Sequence, residues 1–153
     1  MSGKQVSAKV PPRWFIRTAW VVHRGLYKGT GGRFGLRRPK DTQWGMFRLT
    51  TTGRRSGQER GVILAYLEDG PNLFTLAMNG WGEGEPAWWL NLQAHPDAHA
   101  QLPGGSRRVR GRAAEGAERD RLWAKWRTTS PDLDDFAALR SSPTTVVVLE
   151  PRA

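Results

Sequence analysis

The sequence predicts an α+β fold: a small barrel of six mostly antiparallel strands with flanking helices, preceded by an N-terminal amphipathic helix. Three observations carry that expectation. The patterns run helix, three strands, helix, two strands, two helices, strand, with too few helices between strands for a doubly wound sheet. Turn chemistry joins successive strands, at residues 53–57, at Asp69-Gly70 and at Pro103-Gly104-Gly105, and such turns reverse the chain. The length, 153 residues with 38% hydrophobic content, suits one domain around one core.

The elements follow in order. Residues 1–12 are polar and lack an apolar signal core, so they read as a mobile arm, and secretion is disfavoured. Residues 13–28 repeat Ile16, Ala19, Trp20, His23, Leu26 and Tyr27 at three- and four-residue steps, which places them on one helix face. Tryptophan beside Arg17, Arg24 and Lys28 also suits an anionic bilayer surface. Residues 29–44 form a basic, glycine-rich loop. Strands are expected at 46–51, 60–67 and 73–78, the second nearly all apolar and so buried on both faces. A short helix at 86–94 starts on Pro86. Its adjacent Trp88 and Trp89 cannot both enter one core, so one walls a cleft or both are structural. A hairpin at 98–102 and 106–112 alternates Arg108, Arg110 and Arg112 on one face, which is wet or meets an anion. Helices are expected at 118–127, with Leu122, Trp123 and Trp126 inward, and at 130–139, before a buried strand at 144–149.

Composition narrows the chemistry. There are no cysteines, which excludes disulfides and thiolate metal sites. No apolar run approaches the ~18 residues of a membrane span. The formal net charge is +10, with fourteen Lys/Arg against two Asp/Glu through Arg60 and ten against twelve thereafter. The front of the chain therefore expects an anionic partner: nucleic acid, an anionic membrane surface or a polyanionic small molecule. His95 and His99 are four residues apart but straddle Pro96 with no third ligand nearby, so no metal is expected.

One stretch concentrates anion-binding groups: Thr50-Thr51-Thr52-Gly53-Arg54-Arg55-Ser56-Gly57. Glycine lets the main chain curl its N–H groups into a nest, and arginine offers a fork that matches phosphate oxygens. The spacings of a nucleotide P-loop and of a dinucleotide fingerprint are both absent. A solvated hairpin turn is the alternative reading.

Four motifs together resemble the deazaflavin-dependent nitroreductase family. They are Leu49-Thr50-Thr51-Thr52-Gly53-Arg54-Arg55-Ser56-Gly57, the strand ending Ala77-Met78-Asn79-Gly80, the segment Pro86-Ala87-Trp88-Trp89-Leu90-Asn91-Leu92 with Pro96, and the ending Val146-Val147-Val148-Leu149-Glu150-Pro151. The likeness spans residues 14–151. It implies a split β-barrel that binds coenzyme F420, a deazaflavin with a phosphate and an oligoglutamate tail, which would account for the basic front. It implies that Arg54, Arg55 and Ser56 hold the phosphate. Arg60, Gly61, Val62, Ile63, Leu64 and Ala65 would run beside the coenzyme. Leu76, Ala77, Met78 and Asn79 would line the ring pocket, with Ala87, Trp88, Trp89, Leu90 and Asn91 opposite. An acceptor would lie against Trp20, Leu133 and Phe136. Many relatives carry tyrosines in the segment matching 130–136; here only Ser130 keeps a hydroxyl, so the pocket is more apolar and bicyclic nitroimidazoles are less suited. Arg55 stands where lysine is common.

The leading expectation is thus a cytoplasmic oxidoreductase, with a peripheral seat on the inner face of the membrane as an option. It passes a hydride from reduced coenzyme F420 to a quinone, an activated alkene or a nitroaromatic. The proton comes from solvent, Ser130 or Tyr66, and no metal is required. The alternative is a non-catalytic carrier of the coenzyme, a flavin, haem or lipid. Nucleic acid is disfavoured, because the tryptophans fall at helix-core spacing rather than in a stacking row. Barrels of this kind often pair, which leaves a homodimer open.

Overall fold

A computed structural model describes residues 36–152. The arm, the N-terminal helix with Trp20 and most of the basic loop lie outside the described residues. Within them, six strands form a closed antiparallel barrel: β1 (Gly45–Thr52), β2 (Glu59–Asp69), β3 (Asn72–Leu76), β4 (Asp97–Leu102), β5 (Gly105–Ala113) and β6 (Val146–Pro151). The order around the barrel is β1-β2-β3-β6-β5-β4, and β4 closes onto β1. The six-stranded barrel expected from the sequence is therefore present, with every pairing antiparallel.

The pleat explains the register. In β1, Phe47, Leu49 and Thr51 are buried while Met46, Arg48, Thr50 and Thr52 are half-buried, the alternation of a strand with one face on a core. Phe47, Leu49, Tyr66, Leu73, Val109, Val147 and Leu149 fill the barrel. Helix α1 (Ala87–Ala94) plugs it, burying Trp88, Trp89, Asn91 and Leu92. Both tryptophans of that pair enter the same cluster, edge to face with ring centroids 6.5 Å apart. A second core lies outside, where α2 (Gly116–Arg127) and α3 (Leu133–Ala137) cover β3 and β6 through Leu122, Trp126, Leu133, Phe74 and Val148.

Two strand expectations need correction. The third strand ends at Leu76 rather than Met78, because Asn79–Trp81 turn into a short 3-10 segment. The second strand is not buried on both faces: Val62, Leu64 and Ala65 are half-buried and Gly61 is exposed. The cause is the pairing. β2 is bonded to β1 from Glu59 to Tyr66, but to β3 only from Leu67 to Asp69. The barrel is split there, and the stretch of β2 before Leu67 presents a strand edge that β3 does not cover.

The arginine row on β5 is also partly neutralised. Arg112 forks onto Glu118 of α2 at 2.7 and 2.9 Å and reaches Glu150 at 3.3 Å. Arg110 meets Asp97 at 3.6 Å. Arg112 thus bridges strand and helix instead of waiting for an anion.

Candidate functional site

The turn between β1 and β2 is built around Asn91. This side chain is 4% exposed, and its amide is satisfied on both sides. Its Oδ1 accepts the Arg54 backbone N–H at 3.1 Å and the Arg54 guanidinium at 3.0 Å. Its Nδ2 donates to Thr51 Oγ1 at 3.2 Å. A buried amide without such partners would cost about 1–3 kcal/mol, so α1 and the turn dock as one unit. Within the turn, the Gly53 N–H donates to Gln58 O, the Gly57 N–H to Gly53 O, and the Gln58 N–H to Ser56 Oγ. The Arg55 and Ser56 N–H groups have no partner among the described residues. The nest is therefore narrower than the sequence implied: Arg54 spends its main-chain N–H on Asn91, and two adjacent N–H groups remain. Gly57 sits at φ 73°, where a side chain is strained. A Cβ on Gly53 would stand 2.9 Å from Ser56 Oγ.

A cleft of about 470 Å³ opens over this turn, lined by Thr51, Gly53, Arg54, Arg55, Ser56, Arg60, Gly61, Val62, Ala87, Trp88 and Asn91. A Cβ on Gly61 would meet Arg48 Nε at 2.6 Å, so the Arg48 guanidinium would have to shift. A second cleft of about 410 Å³ follows the open edge of β2, lined by Trp44, Met46, Val62, Ile63, Leu64, Ala65, Thr75, Leu76, Met78, Asn79, Gly80, Pro86 and Trp88. Val62 and Trp88 border both, so a basic, hydrogen-bonding hollow adjoins an apolar slot. Of the cofactor residues implied by resemblance, only Ala77, Trp89 and Leu90 are absent from these walls; Ala77 and Trp89 are buried behind them.

The floor of the slot is strained. Asn79, Gly80 and Trp81 all have positive φ, at 50°, 61° and 63°, which is costly for a bulky side chain such as Trp81. The clamp is Arg140, 6% exposed. It donates to the carbonyls of Ala77 at 3.1 Å and Gly82 at 2.9 Å, to Thr144 Oγ1 at 2.9 Å, and to Gly84 O and Glu85 Oε1 at 2.6 and 3.1 Å. Asn79 Nδ2 adds bonds to the Glu83 and Gly84 carbonyls. Sequence reasoning missed Arg140, because fifty-odd residues separate it from the loop it holds. Trp44, Met46, Thr75 and Pro86 were missed as well, as nothing local in the sequence marks them as the wall of a cleft.

The remaining candidates lie elsewhere. Leu133 is fully buried under α2. Phe136 stacks on Trp81 at 5.9 Å, so it props the floor from behind. Ser130 closes the end of α2, its N–H donating to Trp126 O and Arg127 O. Tyr66 is not brought to either cleft; it borders a separate hollow. His95 and His99 are exposed. Among the described residues no group of three His, Cys, Asp or Glu could hold a metal, and no helix is long and apolar enough to cross a membrane.

Comparison with known proteins agrees with this geometry. Residues 20–151 match the family model of the F420H(2)-dependent quinone reductases. The chain is 34% identical over 94 residues to an F420H(2)-dependent quinone reductase of Mycobacterium tuberculosis, a stretch covering 59% of this chain and 62% of that protein. It thus spans less than two thirds of that relative. A second M. tuberculosis protein, provisionally given the same family name, is 32% identical over 119 residues, covering 77% of this chain and 96% of the other. Among solved structures, one described as a domain-swapped dimer superposes with a TM-score of 0.67 at 26% identity, over 92% of this chain and all of that one. An F420-H2 dependent reductase superposes at 0.63 and 25% identity, over 69% and 93%. On this evidence the chain belongs to the F420H(2)-dependent quinone reductase family.

Proposed function

We propose that this protein is an oxidoreductase that reduces a quinone with coenzyme F420, with activated alkenes and nitroaromatics as further acceptors. One observation carries it: the basic hollow over Arg54, Arg55 and Ser56 adjoins the apolar slot along the β2 edge, the two sharing Val62 and Trp88. A ligand with an anionic handle and a flat ring fits that succession. When bound, the reduced deazaflavin supplies a hydride from its central ring.

This chain's own residues bind and orient. The N–H groups of Arg55 and Ser56 and the guanidinium groups of Arg54 and Arg55 take the phosphate, with Arg60 beside it. Asn91 holds Arg54 in place. Val62, Ile63, Leu64 and Ala65 form one wall of the slot, Leu76, Met78 and Asn79 its floor, and Trp88 the opposite side. These apolar walls keep water off the reacting face, and holding acceptor and ring together supplies most of the rate. Solvent is the favoured proton source in this reading, as neither Tyr66 nor Ser130 is among the described residues lining the slot. Leu133 and Phe136 act behind the floor, and Trp20 stands as an acceptor contact outside the described residues. By likeness to the domain-swapped neighbour, a homodimer belongs to the same proposal, as does a seat on an anionic membrane surface for the N-terminal segment.

The test is spectroscopic. Reduced coenzyme, menadione and protein together regain the oxidised absorbance faster than without protein. No rate above the protein-free control across several quinones and enones removes the enzyme; tight binding without turnover leaves a carrier.

A further inference from the structure

The mouth of the barrel away from the phosphate turn contains a tyrosine whose hydroxyl has no hydrogen-bond partner among the described residues. Tyr66 pairs with Gly45 at the opposite end of the β1–β2 ladder from the Thr52–Glu59 pair that flanks the turn. The side chain is 1% exposed, and among the described residues its hydroxyl makes no hydrogen bond. Buried tyrosines usually find a partner for that group. The ring packs edge to face on Phe47 at 5.1 Å, which fixes where the hydroxyl points. It borders a polar hollow of about 320 Å³ shared with Arg38, Glu68, Gly104, Ser106 and Arg107.

Two guanidinium groups line this hollow together with the hydroxyl. One Arg107 nitrogen is spent on Pro71 O at 3.1 Å; the fork retains others. The Arg38 guanidinium reaches the β4–β5 turn, 3.1 Å from where a Cβ on Gly104 would stand. The same groups act on the phenol: Glu68 raises its pKa, Arg38 and Arg107 lower it, and burial leads in pushing it up to about 12. The hydroxyl therefore keeps its proton and can donate. Two cations and one anion face it, so a single negative charge is welcomed and a second meets Glu68.

We propose that this hollow is a second ligand site, for a small oxyanion such as phosphate or a carboxylate, held by the Tyr66 hydroxyl, Arg107 and Arg38. It is separate from the two clefts over β2, since none of its lining residues borders them. It does not depend on the coenzyme reading.

The chain has two tyrosines, Tyr27 and Tyr66, so labelling tyrosine with 13C at Cζ reports on the site directly. Tyr66→Phe assigns the signal. The titrant is inorganic phosphate, and the full chain carries Arg55→Ala and Ser56→Ala to silence the coenzyme turn. The Tyr66 signal should shift and saturate, with a midpoint of about 1 mM, a weak specific affinity. Arg107→Gln should weaken the midpoint about tenfold. Glu68→Gln, an exposed change harmless to folding, should tighten it about two- to fivefold. A stationary Tyr66 signal overturns the site. So does an equal shift with chloride at matched ionic strength, or a midpoint indifferent to both variants.

Discussion

Asn91 and Arg55 separate two ways in which one residue can serve a site. Arg55 is exposed, and among the described residues its main-chain N–H is unspent. Arg55→Ala should therefore cost binding alone: coenzyme affinity falls about tenfold or more, as one charged hydrogen bond is worth about 1.5–3 kcal/mol, while the melting temperature stays put. Asn91→Leu should cost both, because it leaves the part-buried Arg54 N–H without its acceptor and takes from Thr51 Oγ1 the donor it accepts from. Denaturant unfolding of that variant should show a loss of about 1–3 kcal/mol, together with weaker coenzyme binding. A variant as stable as wild type would mean the turn holds itself. Tyr66 gives a pH signature. Its folded pKa is pushed up to about 12, chiefly by burial, from the ordinary phenol value of about 10, so above pH 10 the unfolded chain releases a proton that the folded chain keeps. Stability is untouched below pH 10 and should fall by about 1.4 kcal/mol per pH unit up to about 12. Tyr66→Phe should flatten that slope in urea midpoints measured across the range.

Loops and helices show where sequence reasoning reached and where it stopped. Patterns of period two and 3.6 located all six strands and the helices 87–94 and 116–127, because each buries one face on a core. The anion turn was legible for a different reason: glycine and arginine type chemistry without reference to distant residues. The strained Asn79–Trp81 floor was not, since it exists only because Arg140 gathers carbonyls from across the chain. No local propensity encodes such a clamp. Arg140→Met should leave those carbonyls and Glu85 without their cation and lower stability by about 3 kcal/mol or more. It should also weaken coenzyme binding, read by fluorescence titration, although Arg140 borders neither cleft. Arg140→Lys restores charge but not the fork and should recover part of the stability only. Helix α2 invites a second test. Asp69, Glu118 and Asp134 are held below the usual carboxylate range, first by hydrogen bonds from Arg121, Arg112 and Arg127 respectively. Their contribution is present above the ordinary carboxylate pKa and lost as pH falls through the lowered folded values. Amide exchange in α2 should therefore accelerate in acid before exchange in β1 and β4 does. Simultaneous loss would mean that the helix and barrel open together.

At the scale of the whole molecule, the decisive feature is that a closed barrel carries an open edge. Its six strands pair all round, yet β2 meets β3 only at its last residues. Among the described residues the stretch before them, with Val62 and Leu64 half-buried, is left open as apolar surface that a flat ligand would complete. A ligand bound only to the folded state stabilises it by about 2.7 kcal/mol at a hundredfold excess over Kd. For a domain of this size that is about 5–10 °C in melting temperature. Coenzyme F420 should produce such a shift. The phosphate handle alone should produce less, because it fills the basic hollow and leaves the slot empty. Val62 and Trp88 line both clefts, so Val62→Trp should separate the two without touching the turn. In that variant inorganic phosphate should still bind at Arg55 and Ser56, whereas the intact coenzyme should lose most of its thermal shift. Should the coenzyme stabilise the plugged variant as well as wild type, the ring does not lie along β2, and the clefts are two neighbouring hollows rather than one site.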